Sequence, residues 1–379
     1  MSISILIKPA SSLCNLSCKY CFYKDVATNR ESYSNGIMSK ANVDNIIKKS
    51  LTPFNKVVSF AFQGGEPTLA GLSYFQYFIE TVKQNNKYNA TIKYSIQTNG
   101  YTIDAEFAKF FKENDFLVGI SLDGPKEIND ELRTFQGFKG TFNKVLKSIN
   151  ILNEYDVPFN ILCVLTAFNA KHINKVYNFY KKQGFKYLQF IPCLEPLESE
   201  GLTNKYSLQI SHYTHALNTL FKLYKNDYFS GDYTSIRLFD NYVRILLGEG
   251  PENCGISGIC SCYYVIEANG DTYPCDFYSI DKYKLGNINE NTFLEMKETD
   301  TSLKFIEESK NLDDKCLNCK HFRLCRGGCK RYRTASITEG VPFNYFCESY
   351  YDFFENNTKD LLEIATEVKR QLIINNNFI

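Results

Sequence analysis

Residues 3–21 read ISILIKPASSLCNLSCKYC. Its opening, ISILIKP (3–9), is apolar and β-branched, which predicts a strand. Cys14, Cys18 and Cys21 follow at once, in the polar loop CNLSCKYC. Three thiols on one tight loop can wrap a single metal centre, and three ligands leave one position open. A catalytic zinc keeps such a position, and a four-iron cubane held by three thiolates has one bare iron. A zinc site with a distant fourth ligand is the competing reading. Core cysteines do not suit so polar a loop.

Downstream, strand-like and helix-like segments alternate. VVSFAF (57–62), TIKYSI (91–96), FLVGIS (116–121), FNILCVL (159–165) and KYLQFI (186–191) read as strands. Between them 39–51, 73–84, 104–114, 141–155 and 174–183 have helical spacing, several opening on a Ser, Asp or Thr cap. Six strands alternating with helices mean an α/β fold with parallel pairing and right-handed crossovers. Periodicity does not separate an open doubly wound sheet from a partial barrel. In both, functional groups collect at the carboxyl ends of the strands. Two further helices are expected at 207–227 and 239–250, and a terminal one at 350–374, with Asn375, Asn376 and Asn377 as a frayed end. After Cys254 the texture changes to short turns, giving a division into 1–235 and 236–379.

Composition narrows the function. The chain has 379 residues, with 43 Lys and Arg against 42 Asp and Glu. That balance argues against nucleic acid as a partner, since phosphate neutralisation needs a basic surplus. No apolar run approaches the ~20 residues that cross a bilayer, and the first residues lack a signal-peptide core, so a cytoplasmic protein without a membrane partner is expected. Of 14 Cys, three lie at the start, Cys163 and Cys193 stand alone, and nine fall between 254 and 347. In the cytosol, clustered cysteine points to metal or catalysis rather than disulfides.

Cys14-x3-Cys18-x2-Cys21, with Tyr20 before the last thiol, resembles the radical S-adenosylmethionine (AdoMet) superfamily, and Gly64-Gly65-Glu66-Pro67 after the second strand is similar to its GGEP motif. The resemblance implies a partial (β/α)6 barrel whose open iron binds AdoMet and cleaves it to a 5′-deoxyadenosyl radical. It also implies that Tyr20, Gly64, Gly65, Glu66, Ser121, Arg133 and the backbone near Leu194 contact this cofactor. Glycines permit close backbone approach. Cys260-x9-Gly270-x4-Cys275, then Cys316-x2-Cys319-x5-Cys325-x3-Cys329 and Cys347, resemble the SPASM domain, with Cys254 as an eighth thiol. By that resemblance Cys254, Cys260, Cys275 and Cys329 hold one auxiliary 4Fe-4S cluster, and Cys316, Cys319, Cys325 and Cys347 another, three clusters in all. Spacing alone does not give the partition, and a pair of zinc sites is the alternative. Cys262 and Cys163 are expected in the core or a strand, and Cys193 in the wall of the site.

LIKPASS (6–12), FAFQGGEPT (60–68) and YPCDFY (273–278) resemble the anaerobic sulfatase-maturating enzymes. That family oxidises a Cys or Ser within a sulfatase Cys/Ser-x-Pro-x-Arg segment to Cα-formylglycine, drawing electrons from a donor such as ferredoxin or flavodoxin. The resemblance implies that Asp276 is the base, with Tyr23 and Gln63 near the substrate. A sibling SPASM enzyme crosslinking a ribosomal peptide is the alternative, and a non-catalytic zinc-binding interaction protein is the alternative from another class.

Overall fold

The computed structural model describes residues 1–135, 137, 139–197, 204–334 and 343–376, so Asn377 lies outside the described residues. The strands are β1 (Ser2–Ile7), β2 (Val57–Phe62), β3 (Thr91–Thr98), β4 (Phe116–Ser121), β5 (Thr134–Phe135), β6 (Lys139–Gly140), β7 (Phe159–Leu165), β8 (Tyr187–Pro192), β9 (Ser235–Ile236), β10 (Tyr264–Ile266), β11 (Asp271–Tyr273) and β12 (Gly286–Asn287). All six strands expected from the pattern are present.

The chain forms two compact units, each assembled from separate stretches. The first comprises Met1–Leu122, Asn129–Asn160 and Ser261–Glu307. The second comprises Asp123–Ile128, Ile161–Cys260 and Glu308–Ile379. The sequence division at residue 235 does not follow these units, because the chain returns to the first one after Cys260.

In the first unit β1 to β4 pair parallel in sequence order, with Ser2 opposite Val57 and Val57 opposite Thr91. The cysteine-rich end, read as short turns, holds three more strands of this unit. β10 joins the open edge of β1 in parallel, Ile7 opposite Ile266, and β11 and β12 continue antiparallel. These strands are two or three residues long, too short to show a period, and an edge strand offers the free backbone groups that recruit them. The helices cover the sheet through aromatic side chains. Phe60, Phe62, Phe75, Phe78 and Phe116 are buried, and the Phe62 and Phe78 rings meet edge to face at 5.0 Å.

Local signals set the helix ends. Ser39 accepts a hydrogen bond from the Asn42 amide at the start of Lys40–Ser50, and Asp104 does so for Phe107 in Ala105–Glu113. Thr141 does not cap Phe142–Glu154; the Asp130 carboxylate takes the Thr141 and Phe142 amides instead, each at 2.8 Å. In the second unit β7, β8 and β9 run parallel, Ile161 opposite Leu188 and Tyr187 opposite Ser235. Its helices Ile210–Ser230, Arg237–Leu246 and Cys347–Asn376 pack through Phe221, Phe239 and Phe353, and the last runs through Asn375 and Asn376 without fraying. Among the described residues no helix is long and apolar enough to cross a membrane.

Candidate active site

Lys8, Gln63, Asn99 and Glu267 each follow directly on the last residue of a mutually parallel strand of the first unit, and Ser121 is the last residue of another. This is the edge where α/β folds place their chemistry.

The Cys14–Cys21 loop is fixed on two sides. On one side the Ser17 amide donates to Thr134 O at 2.8 Å and the Lys19 amide to Leu132 O at 3.0 Å. The Arg133 guanidinium donates to the Tyr20 hydroxyl at 2.6 Å, so Tyr20 and Arg133 meet as a pair. On the other side lies the GGE turn. The Gly65 amide donates to Ser11 O at 2.9 Å and the Glu66 amide to Leu13 O at 2.7 Å. A Cβ on Gly65 would stand 2.2 Å from Leu13 O, and Gly64 has φ +118 with Ser11 O 2.9 Å from its Cβ position. The close approach expected of these glycines is therefore made to Ser11–Leu13, the segment that leads into the cysteine loop. Only glycine lets the second motif lie this close under the first.

Glu66 is fully buried. Its carboxylate accepts from the Thr68 amide (3.1 Å) and hydroxyl (2.6 Å), the Thr98 hydroxyl (2.7 Å) and the Asn99 amide (2.7 Å). Burial pushes this carboxyl up, against those four hydrogen bonds. A carboxylate with about four acceptor sites is thus largely used up within the protein. Ser121 Oγ accepts from Gln97 at 3.1 Å. Leu194 follows β8 in the second unit and is half-buried.

The thiols fit an iron–sulfur centre. Cys14 Sγ receives the Leu16 amide at 3.4 Å and Asn99 Nδ2 at 3.8 Å, donors of the kind that tune a cluster thiolate. Desolvation pushes the Cys14 thiol up to about 11, so a metal must displace its proton. Among the described residues no three His, Cys, Asp or Glu converge as ligands of a single ion.

In the second unit the C-terminal thiols sort into two sets. Cys316, Cys319, Cys325 and Cys347 lie near enough for their charges to act on one another. Cys254, Cys260 and Cys329 form the other set. Burial pushes Cys325 and Cys329 up to about 12 and Cys347 up to about 11. Asn344 ties the first set, its side chain donating to Gly327 O and accepting from the Phe346 amide just before Cys347. Arg333 is buried and donates to the carbonyls of Gly258, Ser309 and Gly328, pinning the loops that carry both sets. Cys275 belongs to the first unit.

Asp276, Tyr23 and Gln63 come together. The Tyr23 hydroxyl donates to Asp276 Oδ2, and Gln63 Nε2 donates to the same oxygen at 3.3 Å. Desolvation, and then the Asp276 charge, push the Tyr23 phenol well above its ordinary value, so it remains a donor. Phe22 packs edge to face on Phe277 at 5.1 Å, holding Phe22–Thr28 against the turn that carries Asp276.

Beneath them is a buried charge cluster that motif reading did not single out. Lys8 Nζ lies 3.2 Å from Glu267 Oε1 and 3.4 Å from Asp276 Oδ1. Arg30 Nη1 lies 2.6 Å from Glu267 Oε1, and the Ser11 hydroxyl donates to Glu267 Oε2 at 2.7 Å. The one available signal was positional, a charged residue directly after a strand. Two cations face two carboxylates, so the cluster is neutral, as burial requires. Burial raises Glu267, but Lys8, Arg30 and Ser11 more than offset it and hold the carboxyl below its usual range. Its contribution to stability is therefore present above the unfolded-state value and is lost as pH falls through the lower folded value. Urea midpoints measured from neutral pH to about pH 3 should fall further for the native chain than for Glu267→Gln.

Comparison with known proteins agrees with this geometry. Residues 9–180 match the model of the radical SAM superfamily, and 258–320 match that of an iron–sulfur cluster-binding domain, SPASM. A cysteine-type anaerobic sulfatase-maturating enzyme of Clostridium novyi is 49% identical over 96% of this chain and 97% of its own. The chain belongs to the anaerobic sulfatase-maturating enzymes. A serine-type member of this family, from Bacteroides thetaiotaomicron, is 31% identical over 93% of this chain and 88% of its own. The solved structure of native anSMEcpe with bound AdoMet and Cp18Cys peptide superposes with a TM-score of 0.92 at 45% identity, covering 97% of this chain and all of that one. Streptococcus suis SuiB bound to its precursor peptide SuiA, at 20% identity and a TM-score of 0.61, shares the fold.

Proposed function

We propose that this chain oxidises a cysteine in a Cys-x-Pro-x-Arg segment of a sulfatase to Cα-formylglycine, with Asp276 as base. The observation that carries the role of Asp276 is its seat at the strand ends of the first unit, held by Tyr23 and Gln63 beside the cysteine loop. The 49% identity to a cysteine-type maturase supports cysteine over serine as substrate.

Cys14, Cys18 and Cys21 would hold a four-iron cluster that, together with AdoMet, would supply the radical for removal of one hydrogen atom from the substrate Cβ. Tyr20, Arg133, Ser121, the GGE backbone and the backbone near Leu194 position that cofactor. Asp276 takes the proton from the substrate sulfur, while Tyr23 and Gln63 fix the carboxylate. The second electron leaves, a thioaldehyde forms, and water releases sulfide to give the aldehyde. Cys316, Cys319, Cys325 and Cys347 would hold one auxiliary cluster and Cys254, Cys260, Cys275 and Cys329 another, and such clusters would supply the electron sink. Residues 1–235 act as the barrel, and 236–379 as a linker helix, the auxiliary-cluster domain and a C-terminal helix. The protein works in the cytoplasm with ferredoxin or flavodoxin as its electron donor.

Anaerobic incubation of enzyme reconstituted with iron and sulfide, AdoMet, reductant and a sulfatase-derived cysteine peptide should give a product at the aldehyde mass. A crosslinked product would assign the chain to the peptide-crosslinking siblings. Colourless protein that holds zinc after the same treatment would remove the enzyme reading altogether.

A further inference from the structure

Each Asp276 oxygen has a different environment. Oδ2 accepts from both Tyr23 and Gln63, whereas Oδ1 is buried, has no hydrogen bond among the described residues and faces the Lys8 ammonium at 3.4 Å. Lys8 is completely buried, directly after β1, and bridges Asp276 to Glu267. Its Nζ also stands 4.9 Å from the centroid of the Tyr23 ring, so one cation touches both the carboxylate and a residue that orients it. Glu267 is in turn gripped by Arg30 and by Ser11, and the backbone carbonyl of Ser11 accepts the Gly65 amide. A continuous set of contacts thus runs from the turn under the cysteine loop to the carboxylate.

We propose that Lys8 is a positioning residue for the reaction. It holds Oδ1 of Asp276 by charge, which fixes the carboxylate plane and so the orientation in which the carboxylate meets the substrate proton. Glu267 completes the arrangement by neutralising the excess cation, with Arg30 serving Glu267 and not Asp276. A rigid second layer of this kind holds a reacting group in its productive orientation. The inference rests on Asp276 being the base.

Lys8→Met and Arg30→Met each remove one of the two buried cations, so their structural costs are alike, but only Lys8 touches Asp276. The readout is formylglycine formed per 5′-deoxyadenosine released, with peptide affinity measured alongside. Lys8→Met should lower this ratio at least tenfold at unchanged peptide affinity, and Arg30→Met should leave it near the native value. If Lys8→Met does not fold, Lys8→Gln, which keeps a donor to Glu267 without a charge for Asp276, takes its place with the same expectation. A native ratio in the Lys8 variants, or an equal loss in Arg30→Met, overturns the proposal. Asp276→Asn in the same series separates the two readings. If it retains product, the base assignment fails; if it loses product while the Lys8 variants do not, only the role of Lys8 fails.

Discussion

Asp276→Asn is expected to keep its iron and still form 5′-deoxyadenosine from AdoMet, while formylglycine falls by about 10²- to 10⁴-fold, the range that a positioned base contributes. The amide matches the carboxylate in shape, and its oxygen can go on accepting from Tyr23 and Gln63. What it lacks is an oxygen basic enough to take the substrate proton. The variant also leaves Lys8 and Arg30 facing Glu267 alone, so a stability loss should accompany the kinetic one. Quantifying the aldehyde and 5′-deoxyadenosine by mass spectrometry in one reaction, with iron content from the same sample, separates the two effects. Near-native formylglycine would remove Asp276 from the mechanism.

Gly65→Ala should abolish AdoMet cleavage altogether. The added methyl would stand 2.2 Å from Leu13 O, with the Ser12 and Leu13 carbonyl carbons at 2.6 and 2.7 Å, all backbone atoms that no rotamer change can clear. Relief requires the Ser11–Cys14 segment to lift away, breaking the hydrogen bonds that Gly65 and Glu66 make to it. Overpacking of this severity sits at or beyond the upper end of the usual 1–3 kcal/mol. The displaced atoms lead directly into Cys14. Reconstituted protein should therefore fall from about twelve irons to about eight, three four-iron clusters becoming two. Gly250→Ala, at a glycine with open space around it and no left-handed backbone, serves as the control for a glycine substitution in general. A Gly65→Ala protein that still holds the full iron and cleaves AdoMet would show that the packing of the GGE turn under the loop is not what supports the cluster.

Much of the site was already legible in the residues. Cys14, Cys18 and Cys21 lie within eight positions, so their grouping is a local property of one loop. Period-two apolar runs such as VVSFAF and FLVGIS specify strands wherever they fall, and all six strands formed within a residue or two of their expected ends. YPCDFY marks Asp276 through its likeness to a family.

Strand and helix alternation and the cysteine loop are written in neighbouring residues, and the cofactor class follows from the likeness of those local motifs to a family. Tertiary structure alone decided which distant groups meet. Lys8, Arg30, Glu267 and Asp276 are separated by up to 268 positions, and no period or motif links them; β10 brings Glu267 to Lys8 by pairing with β1. The sorting of Cys316, Cys319, Cys325 and Cys347 into one set likewise follows from the packing of short helices that spacing does not encode. Buried charge must find opposite charge wherever the fold places it, so the second layer around Asp276 is a property of the folded chain.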